Sequence, residues 1–383
     1  MSTINILLFW FNDDWGEFGR AYERIAEHLA QIEEISNVVC VFPPTSRSPE
    51  KTLEIRKISE RLTLLTETNH QKFRLDRPFS RLRQHINEYF KNREINNYLQ
   101  KIGYKKDNTI LWLFPPHPYL QHLAKIVPHR LSIAQVIDNF TKFDPTHVLY
   151  SHAKTQYPKL AEFSNLIFTT SKANQEEFAK TGLPCHLFYP AVDESFISKP
   201  RILPHRLSGE APRLGYVGFI MDRTDLDLVK IAATQRPQWR FLLAGPQYPA
   251  GYLDDSGLLE LTNVDYLGPI PQEDVPDFLR SLDVCLMPHR DNEYSQSMGP
   301  LKLYQYLASG RPIVSTDVAG LEIVRDQIYV AHDAKEFIEH IATALRTDTE
   351  ERSAERIEVA RQNTWPVRVR EMLDVVRKHM GNT

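Results

Sequence analysis

Cysteine is scarce in this 383-residue sequence: Cys40, Cys185 and Cys285 are odd in number, far apart and form no CxxC pair. A disulfide framework and a zinc cage are thereby excluded, and each cysteine reads as a small residue in apolar surroundings. No run reaches the roughly 18 apolar residues that a membrane-spanning helix requires. The first residues lead straight into Ile4–Phe11, without the basic start and small-residue cleavage site of a signal peptide, so the expectation is a cytoplasmic protein. There is no repeat of solenoid period and no low-complexity tract. No G-x-G-x-x-G follows a strand pattern, which disfavours a dinucleotide oxidoreductase. No D-x-D triplet is flanked by strand signals, since Asp13-Asp14 and Asp254-Asp255 are loop pairs; no metal and no other cofactor is expected. A strong charge imbalance is missing too. The net charge is −3 and the isoelectric point about 6.5, and with no recognition module visible a nucleic-acid partner is not expected.

What is present suffices for two domains, with 42% apolar and 25% charged residues. The charge is unevenly spread. Residues 1–200 hold 25 Lys+Arg against 22 Asp+Glu, while residues 201–383 hold 21 against 27. Residues 47–93 concentrate the excess, with 12 basic and 6 acidic side chains. Arg74, Arg77, Arg81 and Arg83 lie there among Phe73, Phe79 and Tyr89. This is either a face for an anionic acceptor or for peripheral contact with the inner face of a membrane, or a solvated helical surface.

Short apolar runs alternate with amphipathic ones, the pattern of an α/β protein with parallel strands. Strands are expected at Ile4–Phe11, Asn37–Phe42, Thr109–Phe114, Arg130–Val136 and Leu166–Thr169. Residues 45–103 read as largely helical, and Ser171 as the N-cap of a helix Ala173–Lys180. Prolines punctuate 182–212, which reads as an inter-domain connection. A second alternation follows: strands Arg213–Val217, Trp239–Ala244, Val264–Leu267, Val284–Met287 and Pro312–Ser315, mostly closed by glycine or proline. Loops at the carboxyl ends of such strands form ligand crevices. The tail 353–379 reads as one or two helices interrupted at Trp365-Pro366.

The segment 294–316 is the most informative. Tyr294-Ser-Gln-Ser-Met-Gly299 is a polar loop opening directly into a helix, with Pro300 expected in its first turn. A helix N-terminus offers unpaired N–H groups and partial positive charge, which suits a phosphate. Lys302 would then oppose the helix dipole, a small cost without an anion and a gain with one. The alternative is a Lys302 that only reaches to solvent.

Pro300-Leu-Lys-Leu-Tyr-Gln-Tyr-Leu-Ala-Ser-Gly-Arg-Pro-Ile-Val-Ser-Thr316 resembles the donor-site helix and strand of GT-B-fold glycosyltransferases, of the family 4 type and its relatives in bacterial cell-surface polysaccharide synthesis. Leu214-Gly-Tyr-Val-Gly218-Phe219, Trp239–Pro246, Val264–Pro271, Leu282–Pro288 and Asn363–Arg368 resemble that family's other donor-domain segments in the same order. The resemblance implies two Rossmann-like domains facing across a cleft: an acceptor domain 1–195, a linker 196–212, a nucleotide-sugar domain 213–352, and helices 353–383 returning to the first domain. It implies transfer of a sugar from a nucleotide-diphospho-sugar to a hydroxyl of a glycan or lipid-linked acceptor, independent of metal.

By the same resemblance, Gly218, Phe219, Ile270, Ser297, Met298, Gly299 and Leu301 line the donor. Lys302 and Arg223 meet its diphosphate, although Arg223 can equally pair with Asp222 or Asp225 at the surface. Gln305 stands where the family has a ribose-binding glutamate, and Ser297 where it often has a second glutamate near the donor sugar. In the first domain His117 and Asp138 end strands, as catalytic candidates. Asp138 would deprotonate or orient the acceptor hydroxyl, and otherwise caps a turn. His117 is otherwise held by loop hydrogen bonds. Asp13, Asp14, Trp15 and Arg20 are the acceptor-pocket candidates. The alternatives are a nucleotide-sugar epimerase of the same fold and a non-catalytic nucleotide-sugar-binding subunit of a polysaccharide assembly complex.

Overall fold

The computed structural model describes residues 3–17, 19–43, 53–67, 94–197 and 211–381. Most of the basic stretch 47–93 and most of the 196–212 connection lie outside the described residues. The chain divides into two units. The first comprises Met1–Thr169, Asn174–Phe188 and Val369–Thr383; the second comprises Thr170–Ala173 and Tyr189–Arg368. Each is built on its own, largely parallel sheet.

In the first unit the strands are β1 (Ile4–Phe9), β2 (Ile35–Phe42), β3 (Leu53–Lys57), β4 (Leu62–Glu67), β5 (Thr109–Leu113), β6 (Leu131–Val136), β7 (Leu166–Thr169) and β8 (Cys185–Leu187), in the order β3-β4-β2-β1-β5-β6-β7-β8. Residues Ile4–Phe9, Thr109–Leu113 and Leu131–Val136 are buried throughout, as strands covered on both faces must be, and this is why they read as mainly apolar runs. The helix Ala21–Leu29 packs Tyr22, Ile25, Ala26 and Leu29 inward at helical spacing. It also buries Glu23, which is 2% exposed and whose Oε1 has no hydrogen-bond partner. Burial pushes this carboxyl up to about 7, against the opposing pull of the Gly16 N–H and Arg24.

Residues 53–67 correct the helical expectation for 45–103. Leu62, Leu64 and Leu65 are buried where β4 runs parallel to β2, from Val38↔Leu62 to Phe42↔Thr66. β3 returns antiparallel along β4 as an edge strand, where exposed Glu54, Arg56 and Lys57 guard against further pairing. Long-range pairing thus overrides the helical reading of a polar composition.

The second unit orders its strands β11 (Val264–Gly268), β10 (Arg240–Ala244), β9 (Arg213–Val217), β12 (Val284–Met287), β13 (Ile313–Thr316), β14 (Tyr329–Ala331), all parallel. Tyr216, Phe241, Leu243, Leu286, Val314 and Phe337 form its core. The order of connection reverses between β9 and β12, and in such sheets the crevice for a ligand opens at the carboxyl ends of the two strands flanking the reversal. Three neighbouring strands end in left-handed glycines: Gly218 at φ +135°, Gly245 at +127° and Gly268 at +70°. The Gly218 N–H donates to Ala244 O (2.9 Å) and the Gly245 N–H to Gly268 O (2.8 Å). A Cβ on Gly245 would lie 2.2 Å from Gly218 O.

The helix Leu301–Ser309 begins one residue later than expected, with Pro300 extended (φ −75°, ψ 104°) at the capping position rather than in the first turn. It ends at left-handed Gly310, whose carbonyl accepts from Nε and Nη2 of Arg356 (3.0 and 2.7 Å). Arg356 is 2% exposed and also pairs with Asp348 at 2.6 Å. The tail forms helices Glu350–Gln362 and Trp365–Gly381, so the break falls at residues 363–364 and Pro366 sits where a first turn tolerates it. Among the described residues no helix is long and apolar enough to cross a membrane.

Two outcomes follow. Gly245→Ala forces a side chain into Gly218 O at a left-handed φ, and should lower the unfolding free energy by about 2–4 kcal/mol in urea titration. Glu23 binds a proton more tightly folded than unfolded, so the stability it contributes is lost as pH rises from about 4.5 to about 7. Glu23→Gln should therefore gain in melting temperature over the native protein progressively across that interval.

Candidate active site

In the second unit Gly218, Arg223, Met298 and Lys302 lie together at the β9/β12 reversal. Lys302 lies in the first turn of the helix Leu301–Ser309, and its side chain folds back across Gly218: a Cβ on that glycine would meet Cε at 2.4 Å and Nζ at 2.6 Å. Only glycine admits this close approach. The ammonium sits 5.0 Å from the centroid of the fully buried Tyr216 ring. The Tyr216 hydroxyl donates to Phe219 O at 2.8 Å, which ties the loop after β9. Burial pushes this phenol up, yet Lys302, Arg223 and hydrogen bonds with Thr224 and Lys302 bring it below its ordinary value. Positive charge is therefore concentrated at this strand end.

Arg223 turns to the same loop. Its Nη1 donates to Tyr294 Oη at 3.0 Å and lies 3.8 Å from Met298 Sδ. This arginine is thus directed at the 294–298 loop. The backbone locks the two loops together, with Asp225 N–H donating to Pro288 O (2.7 Å) and Arg290 N–H to Arg223 O (2.8 Å). Gly299 is held because a Cβ there would lie 2.5 Å from Thr170 O. Leu301 and Gln305 are half-buried on the same helix as Lys302, and Ile270 is half-buried just beyond β11.

Ser297 is placed differently from a sugar-gripping residue. It is 3% exposed, its hydroxyl donates to Tyr294 O (2.8 Å), and its carbonyl accepts from the Ser171 hydroxyl (2.8 Å). Its role within the loop is to fix the turn. Ser171 accordingly directs its hydroxyl to Ser297 O at the start of the helix Lys172–Ala179.

Sequence reasoning missed His289. It lies two residues after β12, next to the strand-closing Pro288, with 0% exposure. Burial, reinforced by Lys302 and Arg223, drives it well below the usual imidazole range and keeps it neutral. The only signal in the sequence is its position at the end of an apolar run.

In the first unit the order of connection reverses between β1 and β5. His117 lies after β5, half-buried, with its ring 5.3 Å from Phe9 and 6.1 Å from His152. Burial and the neighbouring His152 push it down to about 4. Its Nδ1 accepts from the Tyr119 N–H at 3.1 Å, which places the proton of the neutral ring on Nε2. His117 therefore presents a hydrogen-bond donor, not a base. Asp138 is half-buried after β6, and its carbonyl accepts from the Tyr157 hydroxyl (2.9 Å). Capping of the turn falls to Asn139, whose Oδ1 accepts from Thr141 N–H and Oγ1.

The four acceptor candidates do not form one cluster. Asp14 is 4% exposed and accepts from Trp10 Nε1 (3.1 Å), Tyr22 Oη (2.9 Å) and Arg20 Nε (3.1 Å). Asp14 and Arg20 thus brace the loop after β1. Trp15 packs edge-on against Tyr22 at 5.9 Å. Asp13 turns elsewhere, to Thr66 Oγ1 (3.0 Å) and Arg56 Nη2 (3.2 Å).

Comparison with known proteins bears on this arrangement. Residues 211–347 match the family described as "Glycosyl transferases group 1". The chain is 26% identical over 396 residues to a putative teichuronic acid biosynthesis glycosyltransferase, TuaH, of Bacillus subtilis (strain 168), covering 96% of each. Among solved structures it resembles a sucrose-phosphate synthase from Thermosynechococcus elongatus (TM-score 0.72, 14% identity, 99% of this chain and 100% of that one). It also resembles a UDP-forming α,α-trehalose-phosphate synthase from Burkholderia vietnamiensis (TM-score 0.67, 14% identity, 100% of both). The trehalose-6-phosphate protein from E. coli bound with UDP-2-fluoro glucose is similar at a TM-score of 0.68 and 12% identity, over 97% of this chain and 98% of that one. With two parallel-sheet units and these neighbours, the chain has the GT-B fold, and its residues 211–347 are similar to a glycosyl transferases group 1 domain.

Proposed function

We propose that this protein transfers a sugar from a nucleoside diphospho-sugar to an acceptor hydroxyl in the synthesis of a bacterial surface polysaccharide, and that it does so without a divalent metal. The observation that carries the reading is Lys302, held with Arg223 at the β9/β12 reversal and at the N-terminus of the helix Leu301–Ser309. A cation at that helix end is unfavourable until an anion arrives. A diphosphate fits it, because two positive side chains and the first-turn N–H groups all address phosphate oxygens.

During transfer the bond from the anomeric carbon to the diphosphate oxygen breaks, and a bond to the acceptor oxygen forms. Negative charge builds on the departing diphosphate, where Lys302, Arg223 and the helix N–H groups offset it. The hydroxyl proton leaves to Asp138 or to the departing diphosphate. His117 supplies the Nε2–H, a neutral donor suited to a sugar hydroxyl. A UDP-forming synthase and a complex with UDP-2-fluoro glucose among the structural relatives make UDP the first nucleotide to test. The teichuronic acid relative directs the acceptor search to anionic wall glycans and their lipid-linked precursors.

Thermal-shift measurements with UDP, GDP, ADP and dTDP should raise the melting temperature for one of them. Lys302→Ala should stay folded, lose that shift, and reduce transfer by about 100-fold. Near-normal turnover by this variant would remove the diphosphate assignment. For His117, kept neutral down to about pH 4, His117→Gln should lower kcat/KM about tenfold while leaving the shape of the pH profile between 5 and 8 unchanged. Loss of an acid limb near pH 6.5 in that variant would instead mark His117 as a base.

A further inference from the structure

His289 is buried at a cost that the protein part alone does not offset. Both ring nitrogens are sealed from solvent and neither has a hydrogen-bond partner. Among the described residues it is the only side chain with two such atoms. Leaving a buried polar group without its hydrogen bond is unfavourable, so the position calls for a ligand or an ordered water to complete it.

The surroundings identify the chemistry. The backbone of His289 is fixed: its N–H donates to Thr316 Oγ1 (3.1 Å), its carbonyl accepts from the same hydroxyl (2.7 Å), and it bridges to Thr224. The ring is therefore held in place rather than left over by a loose loop. It stands edge-on to the Tyr216 ring at 6.4 Å, on the β9 side of the reversal. The charges of Lys302 and Arg223 both bear on it. Tyr216 in turn lies beneath the Lys302 ammonium, and Lys302 is folded back over Gly218. A long, flexible side chain is thus the part of this enclosure that moves at least cost. A neutral imidazole offers one donor and one acceptor. Two cations beside it call for an anion at the donor, and an ammonium is a natural partner for the acceptor.

We propose that His289 is a third diphosphate-binding side chain of the donor site. Once Lys302 swings off Gly218 onto the bound diphosphate, one ring nitrogen of His289 donates its N–H to a phosphate oxygen and the other accepts from the Lys302 ammonium. This rests on the donor-site reading above, and goes beyond it by giving a role to a residue at the end of β12. The neutral ring adds a hydrogen bond to the diphosphate without adding a third positive charge to the empty site.

The test is calorimetric titration of the full chain with UDP and UMP, or with the corresponding pair for whichever of UDP, GDP, ADP and dTDP the native protein binds. His289→Leu should weaken the diphosphate at least tenfold and change the monophosphate by less than twofold. Its unliganded melting temperature should equal or exceed that of the native protein, because two unsatisfied nitrogens are removed. His289→Asn, which keeps a donor and an acceptor, should retain at least a third of the native diphosphate affinity. If leucine crowds the enclosure and the variant does not fold, His289→Ala carries the same tenfold expectation. Diphosphate affinity within twofold of native in the folded leucine or alanine variant would overturn the role of His289 while leaving the donor site standing. Native protein that binds none of the four diphosphates would overturn the donor-site reading and this inference with it.

Discussion

The contact between Lys302 and Gly218 is the constraint around which the second unit is arranged. A lysine in the first turn of a helix faces the positive end of the dipole, and its charge has to be placed somewhere. Here it lies across a left-handed glycine, over the Tyr216 ring, at a spot where a single added methyl group would collide with Cε. The glycine is needed for the space, and the space exists because β9 ends there. The same strand end is stitched to β10 through Ala244 O, and β10 to β11 through Gly268 O. The backbone of three neighbouring strands is therefore gathered into one rim, and the cation sits on it. The geometry follows from the order β11-β10-β9-β12, which leaves the carboxyl end of β9 uncovered on one side.

The first unit meets a different constraint. Among the described residues, the loop after β1 and the end of β5 carry aromatic rings, a buried ion pair and a neutral imidazole. Trp10 and Tyr22 stack at 4.4 Å and both direct their polar atoms to Asp14, so the loop after β1 is stiffened by a buried carboxylate with three donors. His117 is neutral because it is buried beside a second imidazole, and its tautomer is set by the Tyr119 N–H. Donors and acceptors of fixed direction would suit the acceptor hydroxyl of the function proposed above.

Much of this was legible in the sequence, and the reason is local. Gly218, Gly245 and Gly268 close apolar runs, and the Gly299-Pro300 step opens a helix, so chain punctuation alone located the rim and the helix that address it. Strands β3 and β4 were not legible. Their polar, charged composition mimics a helix, and only pairing with β2 reveals them. β8 and β14 span three residues each, too few to show a period. Asp14 and Arg20 were legible as polar residues after a strand, but not as partners of each other and of Trp10 and Tyr22. His289 and Tyr216 were invisible as a pair because Tyr216 lies on β9 and His289 just beyond β12, strands adjacent only through a crossover. Ser297 shows the converse: its place in the family pattern suggested a sugar contact, whereas its hydroxyl is turned to Tyr294 O.

The two positions that depart from the family's glutamates change how a donor is held. Ser297 spends its hydroxyl on its own turn, and Gln305 offers an amide on the same helix as Lys302, so neither position brings a negative charge next to the cations. A carboxylate there would lower the positive potential that a diphosphate meets, and it would itself need desolvation when the ligand covers it. With an amide and a serine in those places, the attraction for a diphosphate would be less opposed, and the proposed ribose contact at Gln305 would be a neutral hydrogen bond of smaller energy. A neutral His289 belongs to the same logic, since it can contact the diphosphate without adding to the repulsion between Lys302 and Arg223 in the empty site. On the proposed donor-site reading, Lys302 and Arg223 would follow the charge of the leaving group, while His289 beside them is kept neutral by burial.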